Sequence, residues 1–165
     1  MSETCKAPPV KIKEVFMIIA AIDYGDARTG LAVCDKFETL ASPLCTIYER
    51  NTDKLIDSII EKSKEIKAEL FVIGLPKNMD SSLGERAQKC IEFAEKLTEL
   101  SGIPHILRDE RLTTVSAHIA LNNTNTRGKK RKQAVDQVSA VMILQDYLDY
   151  KKINNARVNN DGSEE

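Results

Sequence analysis

MIIAAIDYGDARTG, residues 17–30, stays apolar for six positions, then meets an aspartate, two glycines and an arginine before turning hydrophobic again at Leu31. A continuous apolar run of this kind reads as a strand covered on both faces, as in the inner strands of an α/β sheet. Asp23 then stands where a buried strand surfaces, a costly place for a charge unless something pairs with it.

Outward from this stretch, residues 15–24, 30–36 and 41–48 read as three successive strands joined by short polar connections, a meander that opens the fold. Asn51, Thr52 or Asp53 can cap a helix running to about residue 67, with Leu55, Ile56, Ile59, Ile60 and Ile66 at helical spacing. Residues 69–75 (ELFVIGL) form a second buried strand ending at Pro76. Ser82 to Glu85 has the capping-box form S-x-x-E and opens a helix with the stripe Ala87, Cys90, Ile91, Ala94, Leu97 and Leu100, stopped by Gly102 and Pro104. Residues 105–109 (HILRD) are a short fifth strand, Thr113 or Thr114 can cap a helix to about Leu121, and residues 135–150 are a long final helix. Strands 69–75 and 105–109 suit parallel βαβ units, and a mixed five-stranded sheet with helices on both faces follows.

Length and composition are those of one globular domain: 165 residues, 42% hydrophobic and 30% charged, too short for two full lobes. The domain is expected over residues 15–152, after a loose leader (1–14) and before a disordered polar tail (153–165). A net charge of −1 gives no global argument for nucleic acid, so a basic partner surface must be local. The four cysteines and two histidines show no zinc spacing, and Cys34, Cys45 and Cys90 read as small buried hydrophobes in a reduced compartment. The longest apolar run, about eight residues, falls well short of the ~20 that span a bilayer. With no secretory signal, a cytoplasmic protein without membrane association is expected.

Ligand sites of open α/β sheets lie beyond the carboxyl ends of the strands, where the acids of this chain collect. Asp23 follows the first strand, GLPKNMD (74–80) the fourth, Asp109 and Glu110 the fifth, and Asp136 lies near the start of the last helix. Asp23, Glu110 and Asp136 form a candidate cluster of oxygen ligands. Crowded carboxylates repel, and a hard divalent cation, Mg²⁺ or Mn²⁺, relieves that repulsion. Such ions serve in-line displacement at a phosphodiester. Each acid also has an ordinary reading: Asp23 a turn, Asp136 a helix cap, Glu110 a surface partner of Arg108 or Arg111. The run RGKKRK (Arg127, Gly128, Lys129, Lys130, Arg131, Lys132) reads as a solvated mobile flap or as a polyanion contact beside the metal. Arg28 and Lys77 are further phosphate-contact candidates.

Four blocks, AIDYGDARTGLAVCD, FVIGLPKNMDSSLGERA, RDERLTT and VDQVSAVMILQDYL, resemble the YqgF (RuvX-like) family of Holliday-junction-resolvase-like proteins, which are proposed to mature the ends of precursor small-subunit ribosomal RNA. The resemblance spans residues 17–150. It implies an RNase H-like fold with strand order 3-2-1-4-5 and the second strand antiparallel to its neighbours. It also implies that Asp23, Glu110 and Asp136 are the metal-binding and catalytic acids of a divalent-metal nuclease of RNA or branched DNA, monomeric or homodimeric. Gly25, Arg28 and Gly30 match the first block. Gly74, Pro76, Asn78 and Asp80 match the second, with Asn78 a further nucleic-acid contact and Gly25, Gly30, Gly74 and Pro76 shaping the loops. Ser81-Ser82 stands where many relatives have a glycine after the aspartate.

Two rival functions stay open at this point. One is a nucleic-acid-binding ribosome-assembly or transcription factor with little or no turnover, motivated by the missing fourth carboxylate and the basic run. The other is an actin-like ATPase, whose first phosphate loop resembles D-x-G-x-x-x-x-G but which encloses nucleotide between two lobes.

Overall fold

The computed structural model describes residues 15–109 and 129–161, with side chains over 15–109 and 137–158. Strands β1 (Ile19–Asp23), β2 (Thr29–Cys34) and β3 (Ala41–Ile47) are followed by helix α1 (Thr52–Ile66), β4 (Leu70–Leu75), α2 (Glu85–Ser101), β5 (His105–Asp109) and a long α3 (Lys129–Asp161). The sheet order is β3-β2-β1-β4-β5, as the resemblance implies. β2 runs antiparallel to β1 and β3, whereas β1, β4 and β5 are mutually parallel. Parallel strands need crossovers, and α1 and α2 supply them.

β1 and β4 are the inner strands because both of their faces are covered. Ala20, Ile22, Phe71 and Ile73 join the buried residues of α1 and α2 on one side of the sheet. Ile19, Ala21 and Val72 join Ala140, Ile143, Leu144 and Leu148 of α3 on the other. Alternate residues of one strand thus belong to two different cores, and this leaves no polar position inside the run. The alanines at 20, 21 and 140 let the helices come close to the sheet. Full burial of each Ile or Leu contributes roughly 1.5–3 kcal/mol.

Asn51 caps α1, its side chain accepting from the Lys54 amide at 3.0 Å. The helix ends at Lys67, held at φ 57°. α2 departs from the S-x-x-E expectation: Gly84 is its N-cap and no side chain caps it. The Ser82 hydroxyl instead donates to Asp80 at 2.6 Å and accepts from Asn78 Nδ2, so its oxygen is engaged within the loop rather than by a helix amide. Phe93 joins the α2 core, while Leu100, counted in the sequence stripe, is exposed.

α3 is longer at both ends than the pattern over 135–150 suggests. It continues through Asp161, across most of the segment whose composition reads as a disordered tail. Extending an existing helix needs no new nucleus, and no Gly or Pro interrupts the chain before Gly162. At the other end, Lys129, Lys130, Arg131 and Lys132 are helical rather than part of a flap, as suits good helix formers. The helix expected from Thr113 or Thr114 lies outside the described residues.

Candidate functional site

Parallel β1, β4 and β5 deliver their carboxyl ends to one rim. Ile22 pairs with Ile73, so Asp23 lies level with Gly74, and Leu75 pairs with Asp109 at the end of β5. The connection from β1 to β2 begins at Asp23, which faces Gly30 across the antiparallel pair. Gly25 is required there: a Cβ at this position would fall within 3.0 Å of the Arg28 carbonyl oxygen, closer than side chains tolerate. The turn is therefore tight, and it carries Arg28 back toward Asp23. The Tyr24 ring stacks on Phe93 of α2, with centroids 4.2 Å apart and planes 5° from parallel, which anchors the turn to the helix.

Residues 23–28 and Arg86 line an open cleft of ≈ 330 Å³. Asp23 and Arg28 are both half-buried in it. Arg86, in the first turn of α2, and Asp26 are members that sequence reasoning missed. Neither belongs to a spacing that signals chemistry, although Arg86 stands inside the GERA end of the second block.

The loop after β4 is braced by its own polar groups. Asn78 donates from Nδ2 to the Ser82 hydroxyl at 3.0 Å, and its backbone amide donates to the Ser82 carbonyl at 3.0 Å. The Ser82 hydroxyl and amide both donate to Asp80 and hold its carboxyl below the ordinary 3.8. Ser81 takes the glycine's place with φ 69°, so this loop keeps a left-handed turn at a residue with a Cβ. Lys77 Nζ lies 4.0 Å from Asp109 Oδ2, beside the end of β5. Gly74 contributes a carbonyl that accepts from Cys90 Sγ at 3.2 Å, which packs α2 against β4.

The structure brings Asp23, Arg28, Lys77, Asn78 and the Gly25, Gly30, Gly74 and Pro76 loops to the same rim. Glu110 and Arg127 lie outside the described residues. For Asp136, Lys129, Lys130, Arg131 and Lys132 the backbone is described as part of α3, but the side chains are not. Among the described residues no group of three potential metal ligands occurs. The donors at this rim are nonetheless of the hard type: Asp23 lines the cleft and Asp109 ends β5, while His105 begins β5 at the other edge and bonds Thr98 at 2.7 Å. Cys90 is buried under Gly74. Oxygen ligands without imidazole or thiolate fit Mg²⁺ or Mn²⁺ rather than zinc.

The profile of the RuvX family, described as Holliday junction resolvase, matches residues 17–150. The chain belongs to the RuvX family. Among its RuvX relatives, one from Clostridium novyi (strain NT) named "Putative pre-16S rRNA nuclease" is 41% identical over 133 residues, covering 81% of this chain and 98% of the relative. Another of the same name, from Thermoanaerobacter pseudethanolicus, is 40% identical over 137 residues, covering 82% and 99%. Of solved structures, RuvC from T. thermophilus in complex with a Holliday junction substrate aligns with TM-score 0.51 at 13% identity, over 77% of this chain and 91% of that one. The fowlpox virus Holliday junction resolvase aligns with TM-score 0.50 at 13% identity, over 81% and 99%. At such identity these two speak for the RNase H-like fold alone. No helix among the described residues is long and apolar enough to cross a membrane.

Proposed function

We propose that this chain is a divalent-metal-dependent nuclease that hydrolyses phosphodiester bonds at the ends of precursor 16S ribosomal RNA, with Asp23, Glu110 and Asp136 as the acids that hold the ion. The observation that carries this reading is one of phase. Ile19 and Ala21 face α3, and Asp23 continues their alternation at the strand end. Position 136 stands one turn before Ala140, on the stripe that continues through Ile143 and Tyr147 and covers that same face. Ile106 packs on the α3 side and Arg108 bonds Asp146 of α3, and Glu110 shares their parity in sequence. The alternation that Asp23 continues, the helical spacing of position 136 and the sequence parity of Glu110 support a meeting of the three acids at this rim.

A bound Mg²⁺ or Mn²⁺ would neutralise charge on the phosphoryl group and make water a competent nucleophile at neutral pH. Asp23, rooted in a strand with both faces buried, would orient that ion with little reorganisation. Arg28 and Lys77 would hold phosphates of the strand at the rim. Lys129, Lys130, Arg131 and Lys132 crowd four cations into the start of a helix, where the dipole opposes them, so a polyanion laid against this turn relieves the repulsion.

The test is cleavage of a precursor 16S rRNA fragment and of a four-way DNA junction by purified protein, with Mg²⁺, Mn²⁺ or EDTA. Asp23→Asn, Glu110→Gln and Asp136→Asn are assayed alongside. RNA cleavage that needs the metal and drops by about 10²-fold or more in each variant is expected. Cleavage in EDTA, or full activity in the three variants, overturns the proposal. Preference for the junction moves the substrate to branched DNA, in line with the family description. Tight binding without turnover makes the chain a binding factor.

A further inference from the structure

Arg86 has no part in the acid cluster, yet it shares a cleft with Asp23. We propose that Arg86 and Arg28 form a two-armed clamp for a backbone phosphate beside the scissile one, an inference that rests on the nucleic-acid reading of this rim. The two arginines come from distant parts of the chain and line one open space of ≈ 330 Å³ together with Asp23. That volume is at the small end of ligand sites and has room for a sugar-phosphate unit.

Both arms have fixed roots. Arg28 is followed by Thr29, fully buried at the start of β2, and its carbonyl packs against Gly25. Arg86 precedes Ala87, which is 1% exposed and docks the first turn of α2 on the sheet. Among the described residues Arg86 enters no ion pair or hydrogen bond, whereas its neighbour Lys89 is paired with Glu85 at 3.2 Å. The charge of Arg86 is thus available to a ligand. Gly84 leaves the first-turn amides of α2 without a side-chain cap, which adds to the pull on an anion at the same place. A base is the less suitable occupant, because one face of the Tyr24 ring is already taken by Phe93. Planar guanidinium forks match a phosphate's paired oxygens and carry no sequence preference.

The experiment measures binding of a labelled precursor 16S rRNA fragment by anisotropy from about 50 to about 200 mM salt, and cleavage of the same RNA with Mn²⁺. Wild type, Arg86→Ala, Arg86→Lys and Lys96→Ala are compared. Lys96 lies on the same helix and pairs with Asp53, so it controls for the loss of one charge. Arg86→Ala should bind roughly tenfold more weakly and lower the salt slope by about 0.7, with KM raised and kcat kept within about threefold. Arg86→Lys should restore the slope and part of the affinity, and Lys96→Ala should match wild type. Unchanged affinity and slope in Arg86→Ala, an equal loss in Lys96→Ala, or no RNA binding by wild type overturns the clamp. If Arg86→Ala weakens binding while wild type cleaves nothing, the clamp stands and the nuclease reading falls. If wild type cleaves and Arg86→Ala equals it, the clamp falls alone.

Discussion

Lys151 Nζ lies 2.5 Å from Glu38 Oε2 and joins the middle of α3 to the turn between β2 and β3. Glu38 is 7% exposed at its side chain, and its other oxygen accepts from the Met17 amide at 2.6 Å. Removal of the lysine strands a buried carboxylate, which is worse than losing both partners. Lys151→Met is expected to cost about 2–3 kcal/mol in urea unfolding. Glu38→Gln, which still accepts from Met17, should cost less. Equal midpoints for wild type and Lys151→Met would show that the pair does not fasten the helix.

Gly25→Ala meets backbone rather than a flexible side chain, because the nearest atom is the Arg28 carbonyl oxygen. The turn must open, at a cost of roughly 1–3 kcal/mol. Arg28 moves with it, so RNA cleavage should fall further than stability does. Crystallography of the variant with Arg28 unmoved would contradict this account.

At the end of α1, Lys67 holds φ 57° while its amide bonds the Lys64 carbonyl at 3.3 Å and the Ala68 amide bonds the Ser63 carbonyl at 2.9 Å. This left-handed terminus is where glycine is favoured. Lys67→Gly keeps both bonds and relieves the Cβ, so thermal unfolding should show a gain of about 1 kcal/mol. A loss would mean that the lysine side chain contributes more than the backbone relief.

Asp35 Oδ1 accepts from the Leu40 amide at 2.9 Å and the Thr39 amide at 2.6 Å, and these bonds hold its carboxyl below the ordinary 3.8. A carboxyl depressed in the folded state stabilises above its unfolded pKa, and that contribution is lost as pH falls through the folded value. The stability difference between wild type and Asp35→Asn should therefore be present at neutral pH and narrow as pH falls below the ordinary carboxyl value of 3.8. Chemical denaturation at stepped pH measures it. A difference that stays constant across this window removes the carboxylate from the account of the turn.

The inner strands were legible because burial on both faces leaves its mark in every residue: Ile19, Ala20, Ala21 and Ile22 are all at most 2% exposed. So was the α1 stripe of Leu55, Ile56 and Ile59, which the helical period alone picks out. Ser82 was misread as a cap because a four-residue pattern does not reveal that its hydroxyl accepts from Asn78 and donates to Asp80. Residues 153–161 were misread as a tail because composition measures the ability to build a core, while an existing helix needs only the next hydrogen bond. Arg86 gave no local sign, since a single arginine in the first turn of a helix acquires meaning only from what lies across the cleft.

The sequence by itself determined which segments are strands, that their ends carry acids and glycines, and that these blocks are those of one family, because periodicity and motif are written in neighbouring residues. Only the tertiary structure decided which core each face of β1 serves, that Arg28 and Arg86 share a cleft with Asp23, and where α3 fastens to the β2–β3 turn. Those relations join residues far apart along the chain, and the register of parallel strands and the packing of helices on the sheet create them.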